Sequence, residues 1–233
     1  MNILGFDTSS LSYASIGFYF SDEEQLEIQL KLPLSQEEKL LFTIDSGFKI
    51  LKKNISDIDV IAIGIGPGSF TGLRIGIATA KAMAWSLNKK VVALSSLDLM
   101  VHSIPRELIE DGDLIVPLID ARMNRIFSAV YRGSKRITED LDIEPLKLKN
   151  LLIEHGGEKV IFLGEKLDKQ KEIFKDLPFK SMMFLDDFII SGNTICRDSV
   201  EKINNNVIFE DLKKLEPVYM RRSEAEEKIN KKE

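Results

Sequence analysis

The sequence predicts an α/β fold made of two similar halves, and three observations carry that reading. The run Val60 to Ile65 is almost wholly apolar, as in a strand covered on both faces, and a helical stretch lies on either side of it. One layout occurs twice: an apolar strand with Asp at its tip, a turn and a returning strand, first around Asp7 and again around Asp120. Of the 233 residues, 44% are apolar and 30% charged, enough core for one large domain or two small ones.

Asn2 to Phe6 is a short apolar strand that stops at Asp7-Thr8-Ser9-Ser10, and Tyr13 to Phe20 returns as its hairpin partner. Gln25 to Leu32 alternates apolar and polar residues and reads as a third strand. Glu37 to Lys53 is helical, with Leu40, Leu41, Ile44, Phe48 and Leu51 forming its apolar stripe. Phe42 lies on the opposite side, near Lys49 and Lys53, and marks a second surface suited to a partner.

After the strand at Val60 comes Gly64-Ile65-Gly66-Pro67-Gly68-Ser69-Phe70-Thr71-Gly72-Leu73-Arg74-Ile75-Gly76, then a helix from about Gly72 to Leu87. Ser69 or Thr71 is placed to cap that helix. Glycine amides before a helix N-terminus make a natural anion site, although neither the P-loop nor the G-x-G-x-x-G spacing is present. The helix is small on two faces: Gly72, Gly76, Ala80 and Ala84 recur four apart, and Ala78 and Ala82 form a second set. One set can pack on the chain's own sheet and the other on another helix.

Val91 to Leu94 is the next strand, and a helix runs from Leu97 through His102 to about Ile104. Glu107 to Asp113 is a polar junction. Leu114 to Ile119 is a strand tipped by Asp120-Ala121-Arg122, and Arg125 to Tyr131 returns. Beyond Lys135 the expected elements are helices at Leu146–His155, Asp168–Lys175 and Ser199–Asn205, with strands at Lys159–Leu163 and Lys180–Leu185.

A net charge of −5 argues against broad nucleic-acid binding. Cys196 alone excludes an internal disulfide framework, and no Cys/His cluster suggests zinc. No basic leader and no apolar run near about 18 residues is visible, so a cytoplasmic protein without membrane contact is expected. Asp7 and Asp120, facing each other across a cleft, would hold hydrated Mg²⁺ against nucleotide phosphates. Thr8, Ser9 and the amides of Gly66 and Gly68 would hold the phosphates. The plainer alternative is that each Asp closes a turn.

Five motifs carry a family resemblance: Ile3-Leu4-Gly5-Phe6-Asp7-Thr8-Ser9, the Gly66-to-Gly76 loop, Ser95-Ser96-Leu97, Ile119-Asp120-Ala121-Arg122 and Pro217-Val218-Tyr219-Met220-Arg221. Together they resemble the TsaB (YeaZ) family, which assists tRNA threonylcarbamoyladenosine biosynthesis. The match is good to about residue 132 and returns near Tyr219. The resemblance implies an ASKHA fold (actin, sugar kinase, Hsp70-like) with two βββαβα-type halves. It divides the chain into an N-terminal half, 1–106, with the GPGSFTG loop and dimerisation helices; a C-terminal half, 107–216; and a helical tail, 217–233, packed back on the first half.

The resemblance also implies a role. TsaB proteins are similar to the catalytic subunit TsaD and pair with it. With the ATPase TsaE, the complex places a threonylcarbamoyl group on the adenosine beside the anticodon, in tRNAs reading codons that start with A. TsaD carries a His-x-x-x-His metal motif after its glycine loop. Ser96-Leu97-Asp98-Leu99-Met100 stands at that place here, and Ser and Met cannot replace two His as ligands.

The expectation is therefore a scaffold without catalytic residues or metal, a homodimer when alone, reaching tRNA only through the complex. ATP or ADP with Mg²⁺ at the partner interface is the one cofactor that fits. By the resemblance, the partner interface comprises Phe42 and Lys49 on the first helix, and Gly72, Leu73, Arg74, Gly76, Ile77, Ala80 and Lys81 on the second. Gln36-Glu37-Glu38 replaces the basic or aromatic residue common early in the first helix of relatives. The second half's Gly-x-Gly is reduced to Gly164-Glu165, which weakens the case for bound nucleotide. The alternative from a different class is an ATP-dependent, kinase-like ASKHA enzyme using Asp7 or Asp120.

Overall fold

In the computed structural model, residues 1–31, 36–205 and 209–220 are described. The first sheet holds β1 (Ile3–Asp7), β2 (Tyr13–Tyr19), β3 (Gln25–Lys31), β4 (Val60–Gly64) and β5 (Lys90–Leu94), in the order β3-β2-β1-β4-β5. β2 lies antiparallel to β1, and β4 parallel to it. Helices α1 (Gln36–Leu51) and α2 (Phe70–Leu87) cover one face, and α3 (Ser96–His102) follows β5.

The second sheet has β6 (Leu114–Asp120), β7 (Ile126–Ser128), β8 (Tyr131–Arg132), β9 (Lys135–Arg136), β10 (Leu141–Ile143), β11 (Lys159–Gly164) and β12 (Ser181–Asp186). With it go α4 (Pro145–His155), α5 (Asp168–Phe174) and α6 (Gly192–Asn204). Its main path, β10-β7-β6-β11-β12, repeats the first sheet strand for strand, so β6 stands where β1 does and Asp120 where Asp7 does. The doubled layout and the ASKHA architecture are thus present.

The side-chain alternation of the strands builds the layers. Leu4, Phe6, Ile61 and Ile63 face α1 and α2; Ile3, Val60, Ala62 and Val92 face inward. Val116, Leu118, Val160 and Phe162 meet Leu148, Leu152 and Phe174 of α4 and α5. Between the sheets lies a third core, where Leu97 and Leu99 of α3 and Ile195 and Cys196 of α6 meet Ile115, Tyr131 and Leu163. Polar ties cross this layer. Tyr131 Oη donates to Asp98 Oδ1 (2.7 Å), Arg136 Nε also donates to it (3.0 Å), and His102 Nδ1 lies 2.6 Å from Asp198.

Several elements differ from expectation. The return strand is split into β7 and β8, because Val130 N–H donates to Thr138 Oγ1 at the break. β9 and β10 have too few residues to show periodicity. α6 begins at Gly192, not Ser199, and packs on the first sheet although it follows the second in the chain. Gly5 and Gly17 are opposite each other in the β1–β2 register. A Cβ on Gly17 would sit 2.0 Å from the Gly192 carbonyl oxygen, and one on Gly5 would sit 2.7 Å from Ile195 Cγ2. Those bare positions let α6 lie close. Cys196 fills the same place, buried, and burial pushes its thiol up to about 12.

Strand β5 is an edge of its sheet. The segment 209–219 covers it: Glu210 N–H donates to Val91 O (2.9 Å), Leu215 is buried in the α1–α2 core, and Val218 N–H donates to Ile65 O (2.8 Å). Residues 217–220 are not helical, since Val218 is held against the loop by that bond. The rest of the expected tail helix, 221–233, lies outside the described residues, as do the side chains of Gln36, Glu37 and Glu38.

Candidate functional site

Asp7 ends β1 deep in the molecule and is 2% exposed. Its Oδ1 accepts from Ser9 N–H (2.8 Å) and Ser9 Oγ (2.6 Å); its Oδ2 accepts from Ser96 Oγ (2.6 Å). Gly64 on the neighbouring strand makes room, since a Cβ there would lie 1.8 Å from Oδ2. Ser96 accepts from Gly66 N–H (3.0 Å), and Ser96 N–H donates to Gly66 O (2.9 Å). One buried knot therefore joins β1, the glycine loop and α3. Burial raises the Asp7 carboxyl above its ordinary 3.8, opposed by the bonds from Ser9 and Ser96.

The loop is engaged inside the chain. Thr8 Oγ1 donates to Gly72 O (2.7 Å), and Ser69 N–H donates to Ser9 O (2.7 Å). A Cβ on Gly68 would meet that same carbonyl at 2.4 Å. Ser69 is the residue that caps α2, accepting from Gly72 N–H at 3.3 Å. Arg74 lies 3.8 Å over the Phe70 ring and donates from Nε to Tyr219 Oη (2.9 Å), clasping the loop to the C-terminal segment.

A cleft of about 550 Å³ opens where the tips of β1 and β6 face each other. Asp7, Ser9 and Asp120 line it; Thr8, Gly66 and Gly68 do not. Asp120 is exposed and accepts from Arg122 N–H (2.8 Å), closing the β6–β7 turn. The expected phosphate set is thus divided, with the glycine loop packed behind Asp7 instead of opening into the cleft. Asp7 lines the cleft with three donors from the protein already on its carboxylate.

On the far side of the first sheet, α2 presents Thr71, Arg74, Ala78, Ala82 and Trp85 outward at helical spacing. Trp85 is 82% exposed. From α1, Phe42 is 71% exposed, with Leu41, Asp45, Lys49 and Ile50 also exposed.

The family model for TsaD, tRNA N6-adenosine threonylcarbamoyltransferase, matches residues 35–228. The chain is 29% identical over 180 residues to the tRNA threonylcarbamoyladenosine biosynthesis protein TsaB of Bacillus subtilis, 76% of each chain. The chain belongs to the TsaD family, in its TsaB (YeaZ) branch. TsaB of Escherichia coli is 28% identical over 132 residues, 57% of this chain and 55% of that one. YeaZ from Pseudomonas aeruginosa shares the fold, with a TM-score of 0.75 at 20% identity over 94% of this chain and all of that one.

For a TsaB chain, the expected partner residues need correction. Gly72, Leu73, Gly76, Ile77 and Ala80 are buried within the chain. A Cβ on Gly76 would meet Thr8 Oγ1 at 2.3 Å and Ile63 Cδ1 at 3.3 Å, so this small face serves the protein's own sheet. Lys81 is half-buried and donates to Leu215 O (3.2 Å). Phe42, Lys49 and Arg74 do lie on the surface. Leu41, assigned to the core stripe, points outward with Phe42, and Thr43 is buried instead. Trp85, which the expected interface does not include, continues the Ala78, Ala82 row by one more turn, a spacing visible in the sequence.

Proposed function

We propose that this chain takes part in tRNA threonylcarbamoyladenosine biosynthesis as the non-catalytic subunit that binds the TsaD transferase, working with the ATPase TsaE. The observation that carries the reading is the outward face of α1 and α2. Phe42, Leu41 and Trp85 are large and apolar, and Ala78 and Ala82 leave room for another helix to approach. Single exposed apolar residues are ordinary, but two exposed aromatics on neighbouring helices, Phe42 on α1 and Trp85 one turn beyond the Ala78, Ala82 row of α2, have the composition of interface anchors. A four-helix bundle with the equivalent helices of TsaD is the arrangement this face fits. In a second copy of the chain, the same face would pair isologously.

Ser96 and Met100 support the non-catalytic part. Where TsaD would present two imidazoles, Ser96 is fully buried with its hydroxyl committed to Asp7 and Gly66, and Met100 is buried.

The test is light scattering after size-exclusion chromatography of the chain mixed with TsaD from the same cell. A heterodimer should form, and Trp85→Glu should weaken it at least about tenfold, as for a central aromatic anchor. Because Trp85 is exposed, its replacement should leave stability within about 0.5 kcal/mol. Turnover of ATP by the chain alone, with no heterodimer, would overturn the proposal.

A further inference from the structure

The cleft between the two sheets has a chemistry of its own. Its volume, about 550 Å³, is in the range of small-ligand sites. Its floor is apolar: Met100, Leu118, Ile126, Leu167, Ile173 and Ile190 all line it. Four acids and four bases also line it. The acids are engaged. Asp7 holds Ser9 and Ser96, Glu165 accepts from Ser10 across the cleft, Asp120 accepts from Arg122 N–H, and Asp168 pairs with Lys171 at 3.4 Å. Among the bases, Arg125 is held by Asp142 (2.8 Å) and Glu144 (3.6 Å), and Arg122 is exposed on the β6–β7 turn.

Two lysines stand apart. Lys166 and Lys169 are exposed on the wall formed by the end of β11 and the start of α5, and neither makes a hydrogen bond or ion pair with a described residue. Gln170 lines the same wall, and its Oε1 is buried without a partner. Two unpaired cations of this cleft therefore stand together on one wall, above an apolar floor, and the Gln170 oxygen beside them is an acceptor for any hydroxyl or protonated group of a ligand.

We propose that the cleft binds an organic anion with an apolar body, in its simplest form a medium-chain carboxylate, with the anionic head at Lys166 and Lys169 and the body over Leu118, Ile126, Leu167 and Ile173. A nucleotide suits it less. No residue from Gly64 to Gly72 lines the cleft, and Asp7, the acid nearest the loop, already accepts three hydrogen bonds. The ligand needs one charge and a greasy skeleton, not a chain of phosphates.

The experiment uses the ¹⁵N-labelled full chain and follows amide shifts while octanoate, octanol or Mg·ATP is added. Octanoate should saturate with one molecule per chain and move amides within 118–126 and 164–173. Octanol, which lacks the charge, should bind at least about tenfold more weakly. The double variant Lys166→Glu, Lys169→Glu should lose octanoate about tenfold while its melting temperature stays put, since both side chains are exposed and unpaired. Failure to saturate at millimolar octanoate would overturn the proposal. So would shifts confined to α1 and α2, an unchanged affinity in the double variant, or tighter saturation of the same amides by Mg·ATP.

Discussion

Asp7 is held from two distant parts of the chain: the Ser9 amide and hydroxyl close the turn at the tip of β1, and Ser96 reaches it from α3. Its third partner, Ser96, lies 89 residues away, and no local pattern announces it. Asp7→Ala would leave Ser96 Oγ and both Ser9 donors buried without an acceptor, at a cost of about 2–4 kcal/mol. Urea unfolding would read it. The pH dependence has a definite sign. Because the folded carboxyl is raised above 3.8 by burial, the folded state holds its proton longer than the unfolded chain. Its contribution is then complete below pH about 4 and is lost as pH rises through the folded value. Relative to Asp7→Asn, which cannot titrate, the wild-type protein should lose stability over that rise. A constant difference between the two would show that burial does not govern this carboxyl.

At the scale of elements, α2 carries the clearest lesson. Two small-residue faces were legible, but not which one looks inward. The answer depends on Thr8 and Ile63, which stand beneath Gly76. A paired substitution separates the faces. Ala80→Leu forces a larger side chain into a filled core and should cost about 1–3 kcal/mol. Ala82→Leu, on the exposed side, should change stability by less than about 0.5 kcal/mol yet impair the TsaD complex. Equal stability losses would mean that both faces are packed internally. Strands such as β4 were legible because burial on both sides demands an unbroken apolar run. The first half of α6 was not, because Gly192-Asn193-Thr194 has loop-like propensity and the helix is stabilised by lying on Gly5 and Gly17. Propensity is a weak prior wherever tertiary packing supplies most of a helix's stability.

For the molecule as a whole, the repeated strand-Asp layout pointed to two matching sheets, and matching sheets are found. Chain order and spatial order nevertheless part company at the end. α6 and the segment 209–219 both belong, by contact, with the first sheet. A chain ending at Asn205 would uncover the β5 edge, remove buried Leu215 and release the Tyr219 clasp on Arg74. Bare edge strands recruit other chains. This truncation should melt several degrees lower and elute partly as higher oligomers; a monomer of wild-type melting temperature would show that the segment is merely draped over the surface.

The same crossing sets a timetable for synthesis. The first sheet emerges from the ribosome early, but its inner face waits for α6 and its edge for residues 209–219, the last described part of the chain. At about 5–20 residues per second, the stretch from residue 106 to Gly192 takes roughly 5–20 s to translate. Throughout that interval Ile3, Val60 and Val92 of the nascent first half lack the cover that α6 supplies in the finished fold. Maturation of the first sheet therefore waits on segments made long after it.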